Sequence, residues 1–497
     1  MICVSLGRTR HKMMYHEHQA LAEEGVQLVE LRLDWLSKQP DLTRLLENRP
    51  TPTIVTCRRH EDRGRWRWSE EQRQAVLRSA IVAGVEYVDL EDDIAGAVPR
   101  YGDTKRIVSH HDFNETPEDL AEIYERMLSL DPDIVKIATM AHSPTDLVRV
   151  LKLVALADVP TIGFCMGELG TPSRILCGKY GSPFTYASFS VERELAPGQI
   201  SYETMRDQYR FDEINAETKV FGVLGDPIVQ SLSPLLHNAV YRREGMNNVY
   251  LPFRVPLGTL EDTLNSFMWL EIQGYSVTIP HKREIAMLAD VQDDSMRGVG
   301  AANTLCLDHE GHWVAFNTDY RAILACVKIG LERRQSRNKT IRGKKVLILG
   351  AGGVARAAAF AMKDEGASVI VANRNQPRGA ELARELGCKN IRWEHRSSEF
   401  ADILVNCTPV GMFPDSIDDT PFPSNAYREG MLVLDSVYNP ENTLLLKQAR
   451  DRGCETVSGL EMFVRQAAEQ FQYFTGMHTS LETLRDTLRR GISVVKY

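Results

Sequence analysis

The chain has 497 residues, 25% of them charged, and 67 acidic side chains against 59 basic ones leave a net charge of −8. This length exceeds one ordinary core and predicts about three domains of roughly 150 residues. The diffuse acidic balance argues against nucleic acid as the main partner, and the lack of an apolar run near ~18 residues argues against a membrane span. The nine cysteines are scattered without a Cys-x-x-Cys pair, and no signal peptide pattern opens the chain. We therefore expect a reduced, cytoplasmic location and no metal site.

Short β-rich runs alternate with amphipathic segments over the first ~210 residues. Eight strands are predicted at Ile2–Leu6, Leu28–Leu33, Thr53–Cys57, Tyr87–Leu90, Arg106–Ser109, Ile134–Ala138, Thr161–Cys165 and Phe184–Ser188. Helices are predicted between them, including Glu70–Val82, Pro117–Ser129 and Pro144–Ala157. The last two begin with Thr-Pro and Ser-Pro, which are helix-start signals. A doubly wound sheet has the same local pattern, but the strand count favours a (β/α)8 barrel.

Charged residues near the carboxyl ends of these strands mark a candidate site, because barrel enzymes carry their chemistry there. These residues are Glu30, Arg32, Asp34, Arg58, His110, His111 and Lys136. Lys136 lies inside the apolar run of the sixth strand, where a lysine is costly to bury. A buried lysine is a candidate amine nucleophile, and a structural ion pair with Glu30 is the alternative.

Five motifs in this half resemble those of the type I 3-dehydroquinate dehydratases. They are Glu30-x-Arg32-x-Asp34, Ser109-His-His111-Asp-Phe113, the strand around Lys136, Arg174, and Ala196-Pro-Gly-Gln199. The resemblance implies that Lys136 forms a Schiff base with the substrate ketone and that His111 is the general acid and base, without a metal. It also implies that Arg174 holds the substrate carboxylate. The residues expected to orient substrate hydroxyls are Glu30, Arg32, Arg58 and Gln199.

Two positions depart from that family. Where the family has a glutamate and two glycines after the third-strand arginine, this chain reads Arg58-Arg-His-Glu-Asp62-Arg-Gly64. Asp62 is the expected partner that orients His111, and Glu61 is its rival. Leu195 stands where the family often has a hydroxyl, so one substrate hydrogen bond is expected to be absent. His110 is expected to be a neighbouring polar residue rather than a second base.

A second βα series begins at Lys219, and a later strand, Lys345–Leu349, runs into Gly350-Ala-Gly352-Gly353. Such a turn lets a dinucleotide pyrophosphate approach a helix N-terminus. The following strand, Ser368–Ala372, ends in Asn373-Arg374, about 20 residues on, where an NAD site would carry an acid. Arg374 offers a guanidinium to a 2′-phosphate, so NADP is the predicted cofactor.

Further motifs in this half resemble the shikimate dehydrogenases. They include Ser231-Leu-Ser233-Pro, Ser276-Val-Thr278-Ile-Pro-His-Lys282, Asn317-Thr-Asp319, Asn406-Cys-Thr408 and Glu461-Met462-Phe-Val-Arg-Gln466. The resemblance implies that Lys282 and Asp319 act at the reacting hydroxyl. The implied substrate-binding set is Ser231, Ser233, Thr278, Asn303, Tyr438 and Gln466. The implied cofactor-binding set is Gly350, Gly352, Gly353, Val354, Asn373, Arg374, Thr408 and Met462. Ser233-Pro234 is also compatible with a plain helix cap, and Ser276 stands where the family commonly has Asn.

The two resemblances together imply an α/β chain of the bifunctional 3-dehydroquinate dehydratase/shikimate dehydrogenase family. The expected parts are a (β/α)8 TIM barrel at 1–212, an α/β substrate lobe at 219–325, a Rossmann NADP lobe at 340–458, and helices at 459–490 that return to the substrate lobe. The expected reactions are dehydration of 3-dehydroquinate and NADPH-dependent reduction of 3-dehydroshikimate to shikimate. Small molecules are the expected partners, and a monomer or weak homodimer the expected state. The alternatives are an aldolase-type barrel fused to a quinate-preferring dehydrogenase, and a non-catalytic binding protein.

Overall fold

The computed structural model describes residues 1–296, 298–334 and 339–494. The chain divides into two compact units, the first built on Met1–Val220 and the second on Ile272–Tyr497, while residues 221–271 contribute segments to both. In the described part of the chain, no helix combines the length and the apolar character needed to cross a lipid bilayer.

Eight parallel strands form a nearly closed barrel in the first unit. Strands β1 to β8 are Ile2–Leu6, Leu28–Arg32, Thr53–Thr56, Tyr87–Glu91, Lys105–Asp112, Ile134–Met140, Thr161–Met166 and Thr185–Ser188. Their order is β7-β6-β5-β4-β3-β2-β1-β8. All eight predicted strands are present, and the barrel, rather than the doubly wound sheet, is confirmed.

Helices α1 to α6 of this unit are His11–Glu23, Leu42–Leu46, Glu70–Val82, Leu120–Leu128, Pro144–Leu156 and Thr171–Leu176. The Ser-Pro start signal of α5 is confirmed, because Ser143 forms a capping box with Asp146. The predicted start of α4 at Pro117 is wrong, since that helix begins at Leu120. The Thr116 hydroxyl donates to the carbonyl oxygen of Met140 at 2.9 Å instead of capping a helix.

Two six-stranded sheets follow in the chain. Strands β9 to β14 are Lys219–Gly225, Asn248–Arg254, Ile272–Val277, Val291–Gln292, Thr304–Leu307 and Trp313–Phe316, in the order β10-β9-β11-β13-β14-β12. Strands β15 to β20 are Lys345–Leu349, Ser368–Asn373, Lys389–Arg392, Ile403–Asn406, Leu432–Asp435 and Glu455–Val457, in the order β17-β16-β15-β18-β19-β20. The second of these sheets is parallel and has the Rossmann order. Its strand order reverses between β15 and β18, which places a ligand crevice at their carboxyl ends.

Helices α7 to α15 are Ser233–Arg243, Leu260–Phe267, Glu284–Leu288, Thr318–Arg333, Gly353–Asp364, Gln376–Leu386, Leu444–Asp451, Gly459–Thr475 and Leu481–Val494. One hydrophobic core joins the parallel sheet to α10 and α11. Small side chains, among them Ala357, Ala358 and Ala359, are fully buried on α11. They let α11 lie close to the sheet, which fixes its N-terminus at the glycine turn.

Candidate active sites

A cavity at the carboxyl ends of the barrel strands brings together eight of the site residues predicted in the first half of the sequence, while Asp34 and His110 do not line it. The predicted residues that line it are Glu30, Arg32, Arg58, Asp62, His111, Lys136, Arg174 and Gln199. Other lining residues include Ser5, Arg63, Phe113, Phe164, Tyr186 and Leu195.

Lys136 is 4% exposed, and its Nζ donates to Asp89 Oδ2 at 3.0 Å. The ammonium also lies 4.0 Å from the ring centroid of Tyr186. Burial alone would raise the pKa of Asp89, but Arg58 and Lys136 outweigh it and hold that pKa well below its usual value. The lysine is thus held at the bottom of the cavity by a buried carboxylate.

The alternative that Lys136 pairs with Glu30 is wrong. Glu30 accepts hydrogen bonds from the hydroxyls of Ser5 at 2.6 Å and Thr56 at 2.7 Å. These donors are neutral, and among the described residues Glu30 forms no direct ion pair, although Arg32 is a neighbour in the cavity wall. A carboxylate in this setting can accept further hydrogen bonds from ligand hydroxyls.

His111 lies in the same cavity, and its ring stacks on Phe113 with centroids 5.9 Å apart and an interplanar angle of 17°. Burial, with the charges of Arg58 and Lys136, holds its pKa well below the usual value, which favours the neutral imidazole. Within the described residues, neither ring nitrogen has a hydrogen-bond partner. His110 lies elsewhere, with Nδ1 3.0 Å from Asp92.

The expected contact of Asp62 with His111 is not seen. Asp62 lines the cavity, but its carboxylate accepts from Arg59 Nε at 2.5 Å. Its rival Glu61 is exposed and does not line the cavity. Aspartate is one methylene shorter than glutamate, and its carboxylate pairs with Arg59 in the same loop.

Arg174 is a buried cation without a carboxylate partner among the described residues. It is 1% exposed, and burial lowers its pKa to about 10. Its guanidinium lies over the ring of Phe164 at 4.4 Å, Nη2 donates to the carbonyl of Pro197, and Nε has no partner within the described chain. A buried, incompletely satisfied guanidinium is costly, so this group is suited to a ligand carboxylate. Gln199, which also faces this cavity, accepts from the backbone N–H of Leu195 at 2.9 Å.

A second cavity lies in the second unit. It contains the predicted residues Ser231, Ser233, Thr278, Lys282, Asn303, Asp319, Tyr438 and Gln466. Lys282 Nζ donates to Asp319 Oδ2, and Asp319 is 1% exposed. Asn317 caps α10 by accepting from the N–H of Tyr320 at 3.0 Å, which fixes Asp319 in the first turn of that helix.

Helix α14 contributes two amides to this cavity. Gln466 Oε1 accepts from Asn303 Nδ2 at 3.2 Å. One turn later, Gln470 Oε1 accepts from the hydroxyl of Ser276 at 2.9 Å and Gln470 Nε2 donates to Thr304 at 3.0 Å. Gln470 was not predicted from the sequence, although its i, i+4 spacing from Gln466 indicates that both face one side of the helix.

The two serines precede and open α7. The alternative that Ser233 is a plain cap is wrong, because Leu232 occupies the N-cap position and makes no side-chain bond there. The Ser231 hydroxyl accepts from the N–H of Ser233 at 3.3 Å, and both serines line the cavity. Tyr438, which follows β19, also lines this cavity, and its ring stacks on that of Phe463 in α14 with centroids 4.5 Å apart.

A third cavity adjoins the second and contains the glycine turn. Its predicted members are Gly350, Gly352, Gly353, Val354, Asn373, Arg374 and Thr408. Gly350 has φ +116°, and a Cβ there would lie 2.9 Å from the carbonyl oxygen of Cys407. Met462, expected with the cofactor residues, lines the second cavity instead. The residues that line both cavities are Thr278, Ile279, Lys282 and Val354.

Two exposed arginines lie on the rim of the third cavity. Arg374 follows β16, and Arg378 lies in the first turn of α12. Neither guanidinium has a carboxylate partner within the described residues. Arg378 was not predicted from the sequence, although it stands four residues after Arg374. The glycine turn fits a pyrophosphate, and the two arginines fit a further phosphate group.

A buried carboxylate, Asp435, links the end of β18 to the start of α13. Asp435 Oδ1 accepts from Asn406 Nδ2 at 2.9 Å and from the N–H of Val437 at 3.0 Å, and Oδ2 accepts from Thr443 at 2.6 Å. Asn406 in turn accepts from the hydroxyl of Thr408 at 2.7 Å. Burial raises the pKa of Asp435 to about 6, against the effect of these donors.

Known families and proteins match both halves of the chain. The type I 3-dehydroquinase family model matches residues 2–216. Models of the shikimate dehydrogenase substrate binding domain, the shikimate/quinate 5-dehydrogenases and the shikimate 5′-dehydrogenase C-terminal domain match residues 223–305, 332–408 and 459–489.

Individual relatives agree with these matches. A bifunctional 3-dehydroquinate dehydratase/shikimate dehydrogenase of Arabidopsis thaliana, described as chloroplastic, is 36% identical over 96% of this chain and 82% of its own. An NADP(+) shikimate dehydrogenase of Pyrococcus furiosus is 37% identical over 55% of this chain and 96% of its own. A crystal structure of a shikimate dehydrogenase in complex with NADP+ has a TM-score of 0.51 and 34% identity, and covers 56% of this chain and 97% of that one.

Proposed function

The chain belongs to the family of bifunctional 3-dehydroquinate dehydratases/shikimate dehydrogenases, and on that premise we propose which residues carry each reaction. The chain converts 3-dehydroquinate to 3-dehydroshikimate and reduces that product to shikimate with NADPH. The proposed parts are the dehydratase barrel at 1–212, the substrate lobe at 219–325, the NADP lobe at 340–458 and the returning helices at 459–490. The four family matches support these limits.

In the dehydratase, Lys136 Nζ attacks the substrate ketone, and the ketone oxygen leaves as water as the imine forms. The protonated imine withdraws electrons from the neighbouring carbon, so its C–H becomes acidic. Neutral His111 takes that proton and gives it to the departing hydroxyl, which leaves as water. A water molecule then hydrolyses the imine and frees Lys136.

The observation that carries this assignment is the single cavity shared by Lys136, His111 and Arg174. Arg174 binds the substrate carboxylate bidentately, because its guanidinium is buried and lacks an acidic partner among the described residues. Glu30, Arg32, Arg58 and Gln199 orient the substrate hydroxyls. Asp62 is a weaker candidate contact, since Arg59 already engages it.

In the reductase, bound NADPH supplies the hydride. Lys282 donates a proton to the ketone oxygen of 3-dehydroshikimate, and Asp319 orients the ammonium. Lys282 lines both the second and the third cavity, which supports this role, because the substrate and the nicotinamide must meet there. The substrate contacts proposed are Ser231, Ser233, Thr278, Asn303, Tyr438 and Gln466. The cofactor contacts proposed in the third cavity are Gly350, Gly352, Gly353, Val354, Asn373, Arg374 and Thr408, and Met462 is proposed to contact the cofactor from the wall of the second cavity.

A coupled spectrophotometric assay of the full chain tests these roles. 3-Dehydroquinate alone should raise the absorbance of the conjugated enone, and added NADPH should then consume it. Lys136→Ala should abolish the first step and borohydride trapping while sparing reduction of 3-dehydroshikimate. Lys282→Ala, its matched control, should abolish reduction of 3-dehydroshikimate while sparing dehydration and borohydride trapping. Trapping that survives in Lys136→Ala would assign the imine to another lysine, and loss of both activities in either variant would contradict separate sites.

The finer state of the protein is also proposed: a monomer or weak homodimer that acts in the cytoplasm. The nine cysteines are all unpaired, which supports a reducing compartment. Light scattering of the purified chain over a concentration series measures the oligomeric state. Cell fractionation measures the location, and recovery in an organelle would contradict it.

A further inference from the structure

The loop after β3 holds a side chain in an unusual backbone conformation. Arg63 has φ +55°, in the left-handed region that costs residues other than glycine conformational energy. The turn is closed by hydrogen bonds from Arg63 N to His60 O at 3.0 Å and from Gly64 N to Arg59 O at 2.8 Å. A Cβ at Gly64 would lie 2.1 Å from the Arg58 carbonyl oxygen, so the backbone passes too closely there for any other residue.

This conformation directs Arg63 toward the dehydratase cavity, which it lines. Its guanidinium carbon lies 4.8 Å from the ring centroid of Phe113, and Nη2 lies 3.4 Å from the Phe113 carbonyl oxygen. Phe113 in turn stacks on His111. A cation, an aromatic ring and the imidazole therefore form one continuous set of contacts.

His111 depends on this stack because it has no other partner that fixes its orientation. Its ring nitrogens make no hydrogen bond within the described residues, and the carboxylate of Asp62 is held by Arg59 at 2.5 Å. Proton transfer requires an imidazole held in line with the C–H that it attacks. A ring that could turn about its side-chain bonds would spend less time in that orientation.

We propose that Arg63 is a positioning residue of the dehydratase: it holds Phe113 against His111 and thereby fixes the general base. This inference rests on the role proposed for His111. In this chain the stack replaces the carboxylate contact that the sequence predicted for Asp62.

Arg63→Gly tests the proposal without threatening the fold, because glycine relieves the left-handed conformation. We expect kcat for dehydration to fall about tenfold with KM changed less than about twofold, because orientation rather than binding is lost. The thermal midpoint should stay the same or rise. Arg63→Lys, which keeps the charge but not the planar guanidinium, should have a kcat above that of Arg63→Gly but below that of the wild type. An unchanged kcat, or a raised KM that Arg63→Lys restores, would overturn the proposal in favour of no role or of direct substrate binding.

A double-mutant cycle provides the second measurement. Phe113→Leu should lower kcat at least as much as Arg63→Gly, and the double variant should be no slower than Phe113→Leu alone. Additive losses would show that the two side chains act independently and would overturn the proposal. Reduction of 3-dehydroshikimate by the same chain serves as the internal folding control. A wild-type chain without dehydratase activity would instead refute the proposed function.

Discussion

The preference for NADPH over NADH should depend on Arg374 and Arg378, the two exposed arginines at the rim of the third cavity. A guanidinium about 4 Å from a phosphate charge gains between about 1 kcal/mol in water and about 4 kcal/mol near a protein surface. A hydrogen bond to a charged group contributes about 1.5–3 kcal/mol, and because exposure weakens such a contact we take about 1–2 kcal/mol for each arginine. Each replacement by Ala should then raise the KM for NADPH about tenfold, and the double variant about 100-fold.

Steady-state reduction of 3-dehydroshikimate with each nicotinamide measures this effect. NADH lacks the 2′-phosphate, so its KM should stay within about twofold of wild type in every variant. High salt should reduce the wild-type preference, since the Debye length falls from about 10 Å at 0.1 M to about 3 Å at 1 M. Arg384→Ala is the matched control, because Arg384 is an exposed arginine on the same helix as Arg378 and does not line the cavity. Equal losses with NADPH and NADH would refute the reasoning.

Two other predictions concern buried charges. Arg174→Met should raise the KM for 3-dehydroquinate about 100-fold or more, the loss expected for a buried charge pair, without lowering the thermal midpoint; an unchanged KM in steady-state assays would exclude carboxylate binding. Asp435 has a pKa of about 6 in the fold against an ordinary 3.8, so its stabilising contribution is fully present below pH 3.8 and is lost as pH rises through 6. The difference corresponds to about 3 kcal/mol, so Asp435→Asn should remove part of the fall in stability between pH 4 and pH 7, and parallel pH profiles of chemical unfolding would contradict this.

The sequence predicted which residues line the sites better than it predicted their hydrogen-bond and ion-pair partners. Regular spacing of strands specified the barrel, and motifs identified Lys136 and His111. Asp89, the partner of Lys136, was not predicted because it lies outside the motifs that marked the site, and only the alternation of Asp89 and Glu91 hinted at a charged inner face.

Local signals also failed where tertiary contacts competed with them. The Thr116 hydroxyl bonds the end of a neighbouring strand rather than a helix start. Asp62 was predicted to orient His111 from its place in a motif, yet its nearest cation is Arg59 in the same loop. Such choices depend on distances between side chains that spacing along the chain does not specify.

The common wall of the second and third cavities has a consequence for ligand design. Thr278, Lys282 and Val354 line both spaces, so two fragments bound in the two cavities would meet at Lys282. Joining them with a short linker makes the second binding event intramolecular, and the effective concentration of the second fragment can reach the millimolar range. A bridging inhibitor of this kind would compete with both NADPH and 3-dehydroshikimate, whereas either fragment alone would compete with one.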